Sequence, residues 1–308
     1  MKLMNVPHIA IIPYMTCNFS CSYCVANKYS KDSLKLWDSK VGDIIKFLNT
    51  LDKKMILVSG GEPLLYDWSK LIKETNHYWY FATNASVIPK FLYNAQDKVK
   101  LLYAAFHREG IGVNKFIKNI LKIQDMGYAI FCKIIYTKDD SQFNDWDLIN
   151  SAGIPVSFAP LVGVKYTEEE VAKVLPYCIS DMYADRFLNP SRKLGNCVAG
   201  TSETFEIRAT SIVRCGLQDI PLLGNLAPPK FLKRMVHDGL SDAAMKVIYI
   251  MSGRKSYFLG DIYNPQFYSK PVICHRKRCD CEWHTFSGIG DDSENPRWQN
   301  LIDTGKWV

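Results

Sequence analysis

An alternation of short apolar runs with helix-patterned segments is the feature that most restricts the fold of this chain. Between residues 8 and 160, six apolar runs of strand length are separated by segments that mostly carry helical patterns, with apolar residues on one face. The apolar runs span residues 8–13, 55–58, 78–82, 100–106, 128–136 and 155–160. Strands that alternate with helices in this way form parallel βα units. The sequence therefore predicts an α/β fold.

Three of the ten cysteines, Cys17, Cys21 and Cys24, lie close together directly after the first apolar run. Thiolates so close on one loop can bind one face of a [4Fe–4S] cubane and leave the fourth iron open to a small molecule, whereas ferredoxin-type motifs supply four cysteines. Zinc is the alternative. A four-cysteine zinc site normally pairs two Cys-x2–4-Cys knuckles, however, and this triplet has no fourth ligand nearby.

Composition restricts the class of protein and its compartment. The chain has 308 residues, of which 47% are hydrophobic and 22% charged, and no apolar run is long enough to span a membrane. The amino terminus does not resemble a signal peptide, which predicts a cytoplasmic protein that uses clustered cysteines for metal binding or catalysis. The net charge of +7 is scattered along the chain. It permits an anionic partner but indicates a solvated surface rather than a nucleic-acid interface.

The spacing Cys-x3-Cys-x2-Cys, with Tyr23 just before the last cysteine, resembles the signature of the radical S-adenosylmethionine (SAM) enzymes. In that family the open iron chelates the amino and carboxylate groups of SAM. Reductive cleavage of SAM then yields a 5′-deoxyadenosyl radical, which abstracts hydrogen from the substrate. The resemblance implies a partial (β/α)6 TIM-like barrel over residues 1–164, an enzyme of oxidoreductase or epimerase type, and a flavodoxin- or ferredoxin-type reductant.

The second predicted strand leads directly into the sequence Gly60-Gly61-Glu62-Pro63. Glycines after a strand allow the backbone to approach a ligand closely. One βα unit separates this stretch from the cysteine triplet, which places both on the same rim of a barrel. In the radical SAM family such a stretch binds the amino group of SAM, so the resemblance implies that role here.

The third predicted strand ends in Thr83-Asn84-Ala85, which resembles the Thr-Asn-Gly that is frequent in the family at a rim position near SAM. An ordinary turn is the alternative for Thr83 and Asn84. The departure is Ala85, which occupies the position of the glycine.

Two further strands carry polar residues. His107 and Glu109 follow the fourth strand, where similar family members contact the SAM ribose or the substrate, and His107 is also a candidate catalytic residue. Lys133 interrupts the apolar fifth strand and is predicted to point into the barrel, near the cofactor.

Residues 165–194 predict a connecting helical segment, and residues 195–308 form a cysteine-rich extension. Five cysteines lie in this extension: Cys197, Cys215, Cys274, Cys279 and Cys281. Apolar runs at 204–207 and 211–214 predict a hairpin between the first two cysteines, which brings their sulfurs near one another. The extension resembles the twitch or SPASM domain of radical SAM enzymes, in which a hairpin pair and two downstream cysteines hold a second [4Fe–4S] cluster. Thr210 stands where that pattern usually has glycine, and a structural zinc is the alternative.

Three downstream cysteines compete for two positions in the second cluster, which leaves one thiol to spare. A spare thiol, Cys274 or Cys281, could donate hydrogen to a substrate radical, and a buried inert thiol is the alternative. The leading hypothesis is an enzyme that epimerises, dehydrogenates or cross-links a peptide, a sugar or another small metabolite. The hypothesis from another class is a non-catalytic, zinc-stabilised module that binds nucleic acid.

Overall fold

The computed structural model describes most of the first 179 residues and short pieces of the rest. The described residues are 7–13, 16–24, 33–161, 164–179, 184, 187–188, 196–197, 205–208, 211–213, 258–267, 269, 272–273, 300–301 and 303–304. Cys215, Cys274, Cys279 and Cys281 lie outside these ranges, and of Cys197 only the backbone is described.

Six strands alternate with helices in the first part of the chain, as the apolar runs predict. The elements are β1 (His8–Ile12), α1 (Ser33–Leu48), β2 (Met55–Val58), α2 (Ser69–Glu74), β3 (Tyr78–Thr83), β4 (Val99–Phe106), α3 (Val113–Asp125), β5 (Ile130–Tyr136), α4 (Ser141–Ser151), β6 (Val156–Pro160) and α5 (Glu168–Val174). Short 3₁₀ helices cover Pro63–Leu65, Lys90–Asn94 and Leu175–Tyr177. Within the described ranges, no helix combines the length and the apolar character that crossing a bilayer requires.

Strands β1 to β6 are parallel and lie in the order in which they occur along the chain. This order is that of a (β/α) barrel wall and not of a doubly wound sheet, in which the strand order reverses. The sheet is open, with β6 at one edge. The predicted α/β fold of partial-barrel type is therefore confirmed.

The hairpin predicted in the extension continues this sheet. Strands β8 (Glu206–Arg208) and β9 (Ser211–Val213) are antiparallel, and β8 pairs with β1 in parallel. With strands β10 (Phe258–Asp261) and β11 (Asn264–Pro265), this sheet has ten strands among the described residues. A second, two-stranded sheet joins β7 (Asn196–Cys197) to β12 (Val272–Ile273).

The helix-facing side of the sheet packs into one apolar core, because alternate strand residues point toward the helices. Trp68 is fully buried at the centre of an aromatic cluster, with ring centroids 5.7 Å from Trp37 and 6.1 Å from Trp79. Its indole Nε1 donates a hydrogen bond of 2.8 Å to the carbonyl oxygen of Pro63. The core therefore holds the loop that follows β2, which belongs to the predicted site.

Several element boundaries differ from the prediction. Helix α1 begins at Ser33, four residues before the predicted start, and β5 begins at Ile130 rather than at residue 128. Gly127, with a φ of 88°, ends the turn after α3, and its left-handed backbone delays the start of the strand. Helix α5 ends at Val174 and is followed by a 3₁₀ turn that contains Pro176, since proline cannot donate the hydrogen bond that would continue an α-helix.

Candidate functional site

The loops that follow β1, β2 and β3 meet at the carboxyl edge of the sheet. The backbone N–H of Glu62 donates a hydrogen bond of 2.8 Å to the carbonyl of Thr16, which joins the loop after β2 to the cysteine loop. The side-chain amide of Asn84 donates a 3.0 Å bond to Asn18 Oδ1, which joins the loop after β3 to the same cysteine loop. The predicted site residues of the first three strands are therefore together on one rim.

The three cysteines of the triplet occupy one short, hydrogen-bonded loop. Cys21 is buried, Cys17 and Cys24 are half-buried, and the backbone N–H of Cys24 donates to the carbonyl of Cys21 at 3.0 Å. Two N–H groups point at the sulfur of Cys17: the backbone amide of Phe19 at 3.4 Å and the side-chain amide of Asn84 at 3.7 Å. These donors would stabilise negative charge on that sulfur.

Burial and neighbouring negative charge both raise the pKa of Cys17 and of Cys21. Burial is the larger cause for Cys17 and Cys21, and it raises the pKa of Cys21 to about 11. The charge of Cys24 contributes to both shifts, and that of Glu109 to the shift of Cys21, while the Tyr23 hydroxyl acts in the opposite direction on Cys21. Thiolates at these three positions would repel one another, so a bound metal cation would stabilise them. A metal also deprotonates the thiol that coordinates it.

The donor set fits a cluster better than it fits a single ion. In the described part of the chain, no three His, Cys, Asp or Glu side chains are grouped so that they could hold one metal ion. A zinc ion needs its ligands to converge at about 2.3 Å from one point. A [4Fe–4S] cubane instead takes each thiolate on a different iron, so its ligands stand apart. Cys17, Cys21 and Cys24 form no disulfide and lie on one loop, so each of the three thiolates could bind a different iron of a cubane.

The buried carboxylate of Glu62 connects the loops after β2 and β3 through hydrogen bonds. Its carboxylate accepts hydrogen bonds from the Thr83 hydroxyl at 2.6 Å, the Asn84 backbone N–H at 2.6 Å and the Leu64 backbone N–H at 2.9 Å. Burial raises its pKa to about 7, and the three hydrogen bonds act in the opposite direction. Before it, Gly60 has a φ of 122°, a conformation that favours glycine. Gly61 and Pro63 complete this turn.

Thr83 and Asn84 form a turn, and the side chain of Asn84 also contacts the cysteine loop at Cys17 and Asn18. The Asn84 side-chain oxygen accepts from the Ser86 N–H at 2.9 Å, and the Thr83 hydroxyl accepts from the Ala85 N–H at 2.9 Å. Ala85 has a φ of 52°, in the left-handed region where glycine is usual. The backbone at this position thus has a conformation that favours glycine, although the residue is alanine.

The residues that follow β4 reach the cysteine loop from the opposite side. Both oxygens of Glu109 accept from Ser22, from its N–H at 2.6 Å and from its hydroxyl at 2.8 Å. The Tyr23 hydroxyl lies 2.7 Å from His107 Nδ1. The structure therefore brings His107 and Glu109 to the cysteine loop, where Glu109 binds Ser22 and His107 lies beside Tyr23.

Lys133 lies on the face of the sheet that turns away from the helices, where the prediction places it. It is half-buried and in register with Ala105 on β4 and Ser157 on β6. Its ammonium lies 4.9 Å from the centroid of the Tyr103 ring. Burial, and next the charge of Lys133, lower the pKa of His107 to about 4, so His107 is neutral near pH 7. A cation and a neutral imidazole thus stand near the carboxyl end of β4 and β5.

Four polar or aromatic residues of the site were not predicted: Asn18, Phe19, Ser22 and Ser86. Each has a direct role, since Asn18 links Asn84 to the Ser86 hydroxyl and Ser22 binds Glu109. Three of them are the intervening residues of the cysteine motif itself. The small polar side chains of Asn18 and Ser22 between the cysteines were the available signal in the sequence.

The predicted ligands of a second cluster fall on the less described part of the chain. Cys215, Cys274, Cys279 and Cys281 lie outside the described residues. The backbone of Cys197 is described in β7, where it pairs with Val272 of β12.

No protein-family model matches the sequence, and no curated protein does. Among solved structures, the chain is similar to SuiB from Streptococcus suis, with 18% identity, a TM-score of 0.48 and coverage of 82% of this chain and 68% of that one. It is also similar to anSMEcpe, in a structure with bound AdoMet and the peptide Cp18Cys, with 14% identity, a TM-score of 0.45 and coverage of 97% and 98%. Both matches are distant, so the chemistry of the site rests on its own residues.

Proposed function

We propose that this chain is a radical SAM enzyme that binds a [4Fe–4S] cluster through Cys17, Cys21 and Cys24. The observation that carries the proposal is the loop itself: three free, mutually interacting thiols at the carboxyl end of β1, fixed by side chains from the ends of β3 and β4. Bound together, the cluster and SAM supply a 5′-deoxyadenosyl radical that abstracts hydrogen from a substrate. The protein supplies binding, orientation and the exclusion of water.

The turn after β2 is the proposed site for the amino group of SAM. Gly60 and Gly61 leave space for a ligand to approach the backbone, because neither has a Cβ. Glu62 and Pro63 shape this turn: Glu62 ties it to β3, and the Pro63 carbonyl accepts from the buried Trp68. A turn held from two sides keeps its geometry when a ligand binds, which reduces the entropy cost of binding.

The charge distribution suits SAM and a polar substrate. Lys133 offers a cation on the open face of the sheet, where a carboxylate of SAM or substrate would find a favourable field. His107 is neutral at pH 7 and can accept or donate a hydrogen bond without adding charge. Thr83 and Asn84 complete the rim between these residues and the cysteine loop.

We also propose a second [4Fe–4S] cluster, on Cys197, Cys215 and two of Cys274, Cys279 and Cys281. The pairing of β7 with β12 supports this arrangement, because it aligns Cys197 with Val272, two positions before Cys274 in the sequence. This register favours Cys274 as one of the two downstream ligands. It leaves Cys279 and Cys281 as alternatives for the other position, and one of them as the spare thiol.

The proposed substrate is a peptide, a sugar or another small metabolite, and the reaction is epimerisation, dehydrogenation or cross-linking. These outcomes differ in their electron balance. Epimerisation returns a hydrogen atom to the substrate radical, whereas dehydrogenation and cross-linking remove two electrons in total. One of these electrons leaves with the hydrogen atom that the 5′-deoxyadenosyl radical takes, and the other could pass from the substrate radical to a second cluster. Deuterium that enters the product from solvent indicates return by a thiol, and a product two electrons more oxidised indicates the other class. A flavodoxin- or ferredoxin-type protein is the proposed reductant.

The test begins with anaerobic counts of iron and sulfide in the purified, reconstituted protein. We expect about eight iron atoms per chain with matching sulfide, which is the content of two cubanes. Addition of SAM should change the electronic spectrum, and a strong reductant should then yield 5′-deoxyadenosine. Colourless protein that contains zinc, or clusters whose spectrum does not change when SAM is added, would contradict the proposal.

Variants assign the SAM-binding cluster to its loop. The combined substitutions Cys17→Ala, Cys21→Ala and Cys24→Ala should abolish 5′-deoxyadenosine formation and remove about four iron atoms per chain. The matched control is Cys178→Ala, because this half-buried thiol donates to the backbone carbonyls of Phe158 and Val174 and does not belong to the triplet. The control should keep both 5′-deoxyadenosine formation and the wild-type iron content. Continued 5′-deoxyadenosine formation by the triple variant would show that the site is misassigned.

A further inference from the structure

The segment that follows β4 holds the cysteine loop at two adjacent positions. Ser22, between Cys21 and Cys24, donates from its backbone N–H and its hydroxyl to the two carboxylate oxygens of Glu109, at 2.6 and 2.8 Å. Its neighbour Tyr23 lies 2.7 Å from His107 through its hydroxyl. The two contacts join parts of the chain that are 87 and 84 positions apart.

The same segment contacts the loop on the other side of Cys21. Gly110 lies so close to the ring of Phe19 that a Cβ at this position would stand 2.2 Å from the ring carbon Cδ2. The Phe19 ring also meets the His107 ring edge-on, with centroids 6.4 Å apart. The segment after β4 thus packs against Phe19, before Cys21, and forms hydrogen bonds with Ser22 and Tyr23, after Cys21.

Arg108 anchors the segment and leaves the charge of Glu109 directed at the loop. Its guanidinium points to α4, where Nη2 lies 2.6 Å and Nε 2.8 Å from Asp145 Oδ2. Asp139 adds a further contact at 3.3 Å. The arginine therefore pairs with α4 and not with its neighbour Glu109, whose negative charge acts on Cys21.

We infer that Glu109 is a positioning residue that fixes the spacing of Cys21 and Cys24 and lowers the reduction potential of the cluster they hold. The inference rests on the proposed function for the identity of the bound group. It assigns Glu109 to the protein loop and not to the SAM ribose or the substrate. A fixed negative charge beside the cluster opposes the addition of an electron, so its loss makes the cluster easier to reduce.

Two substitutions separate the effect of the hydrogen bonds between Glu109 and Ser22 from the effect of the Glu109 charge. Glu109→Gln removes the charge but keeps one carbonyl oxygen to accept from Ser22, whereas Glu109→Ala removes both. The control is Glu74→Gln, an exposed carboxylate near the end of α2 that lies in another part of the structure. All three chains are compared with wild type after the same anaerobic reconstitution.

We expect the Glu109→Gln cluster to have a more positive midpoint potential at near wild-type iron content, and the control to match wild type. In Glu109→Ala, transfer of iron to a chelator should be up to about fivefold faster. In the metal-free protein, amide hydrogen exchange in residues 16–24 should rise in Glu109→Ala only. An unchanged potential in Glu109→Gln, or unchanged exchange in Glu109→Ala, would overturn the inference.

The exchange measurement needs no cluster, so it distinguishes the two proposals. If the wild-type chain takes up no iron, the proposed function fails and the claim on the potential fails with it, while hydrogen exchange still decides whether Glu109 positions the loop. If iron and 5′-deoxyadenosine appear as expected but Glu109 variants match the control, the inference alone fails.

Discussion

Asn84, directly after β3, donates a hydrogen bond from its side-chain amide to the sulfur of Cys17, 67 positions earlier in the chain, with Nδ2 and Sγ 3.7 Å apart. The same amide donates to Asn18, and the backbone N–H of Asn84 donates to Glu62. One nearly buried residue therefore ties together the loops after three successive strands. This arrangement follows from the parallel sheet, because parallel strands deliver their carboxyl ends to one edge.

Asn84→Ala should weaken the cluster loop without unfolding the protein. The variant keeps the backbone bond to Glu62 but loses the two hydrogen bonds that the side-chain amide donates and the one that the side-chain oxygen accepts from Ser86. We therefore expect a loss of about 1–3 kcal/mol in the free energy of unfolding. We also expect faster loss of iron to a chelator, because Cys17 loses one of its N–H donors. Urea denaturation and the rate of iron transfer measure the two effects.

Asn49→Ala is the matched control for Asn84. The side-chain amide of Asn49 donates a hydrogen bond as well, to the backbone carbonyl of Glu74 at 3.0 Å, but Asn49 is exposed and follows α1. It should release iron at the wild-type rate. Equal rates of iron release in the two variants would show that the contact between Asn84 and Cys17 has no role in holding the cluster.

Gly110→Ala should destabilise the site, while Gly42→Ala should stabilise the protein. At Gly110 an added methyl meets the Phe19 ring at 2.2 Å, and the ring must move with the cysteine loop, at a cost of about 1–3 kcal/mol. Gly42 lies in α1 with nothing within 4 Å of an added methyl, so alanine should gain about 0.5–1 kcal/mol through helix propensity.

The opposite signs make this pair a test of the structure as well as of the site. Thermal unfolding of the metal-free variants gives both values, and iron content after reconstitution should fall only in Gly110→Ala. A Gly110→Ala variant as stable as Gly42→Ala would mean that Phe19 does not pack against this position.

The sequence predicts the parts of this fold that depend on local patterns. Apolar runs and helical periodicity locate all six strands of the barrel wall, and the spacing of Cys17, Cys21 and Cys24 locates the site. The pairing of β8 with β1 was not predicted, because strands of three residues carry too little periodicity to indicate a partner. Their partner is set by tertiary packing.

Side-chain partners within the site were predicted less well than the positions of the residues. Glu62 was predicted to contact SAM, and Glu109 the SAM ribose or the substrate. In the structure, the carboxylate oxygens of both residues accept hydrogen bonds from the protein. A carboxylate in a rim loop can bind a ligand or a neighbouring loop with the same chemistry. The choice depends on distances between loops that are remote in sequence, and a residue pattern does not contain them.

The buried carboxyl group of Glu62 predicts a specific dependence of stability on pH. Burial raises its pKa from 4.5 to about 7 in the folded protein, so between these values the folded state binds more protons than the unfolded chain. The stabilising contribution is therefore fully present below pH 4.5 and is lost as the pH rises through 7. The size of the effect is at most about 3 kcal/mol.

Glu62→Gln should remove this dependence, because glutamine does not titrate. Its absolute stability should be lower by about 1–3 kcal/mol, since the –NH₂ group cannot accept the hydrogen bonds that one carboxylate oxygen accepts. The informative quantity is the slope: the free energy of unfolding of the metal-free wild type, from urea denaturation, should fall more steeply between about pH 5 and about pH 7.5 than that of the variant.

Glu74→Gln, which alters an exposed carboxylate on α2, should keep the wild-type slope. Parallel curves for wild type and Glu62→Gln would mean that Glu62 is ionised throughout this range and that its three hydrogen bonds outweigh its burial.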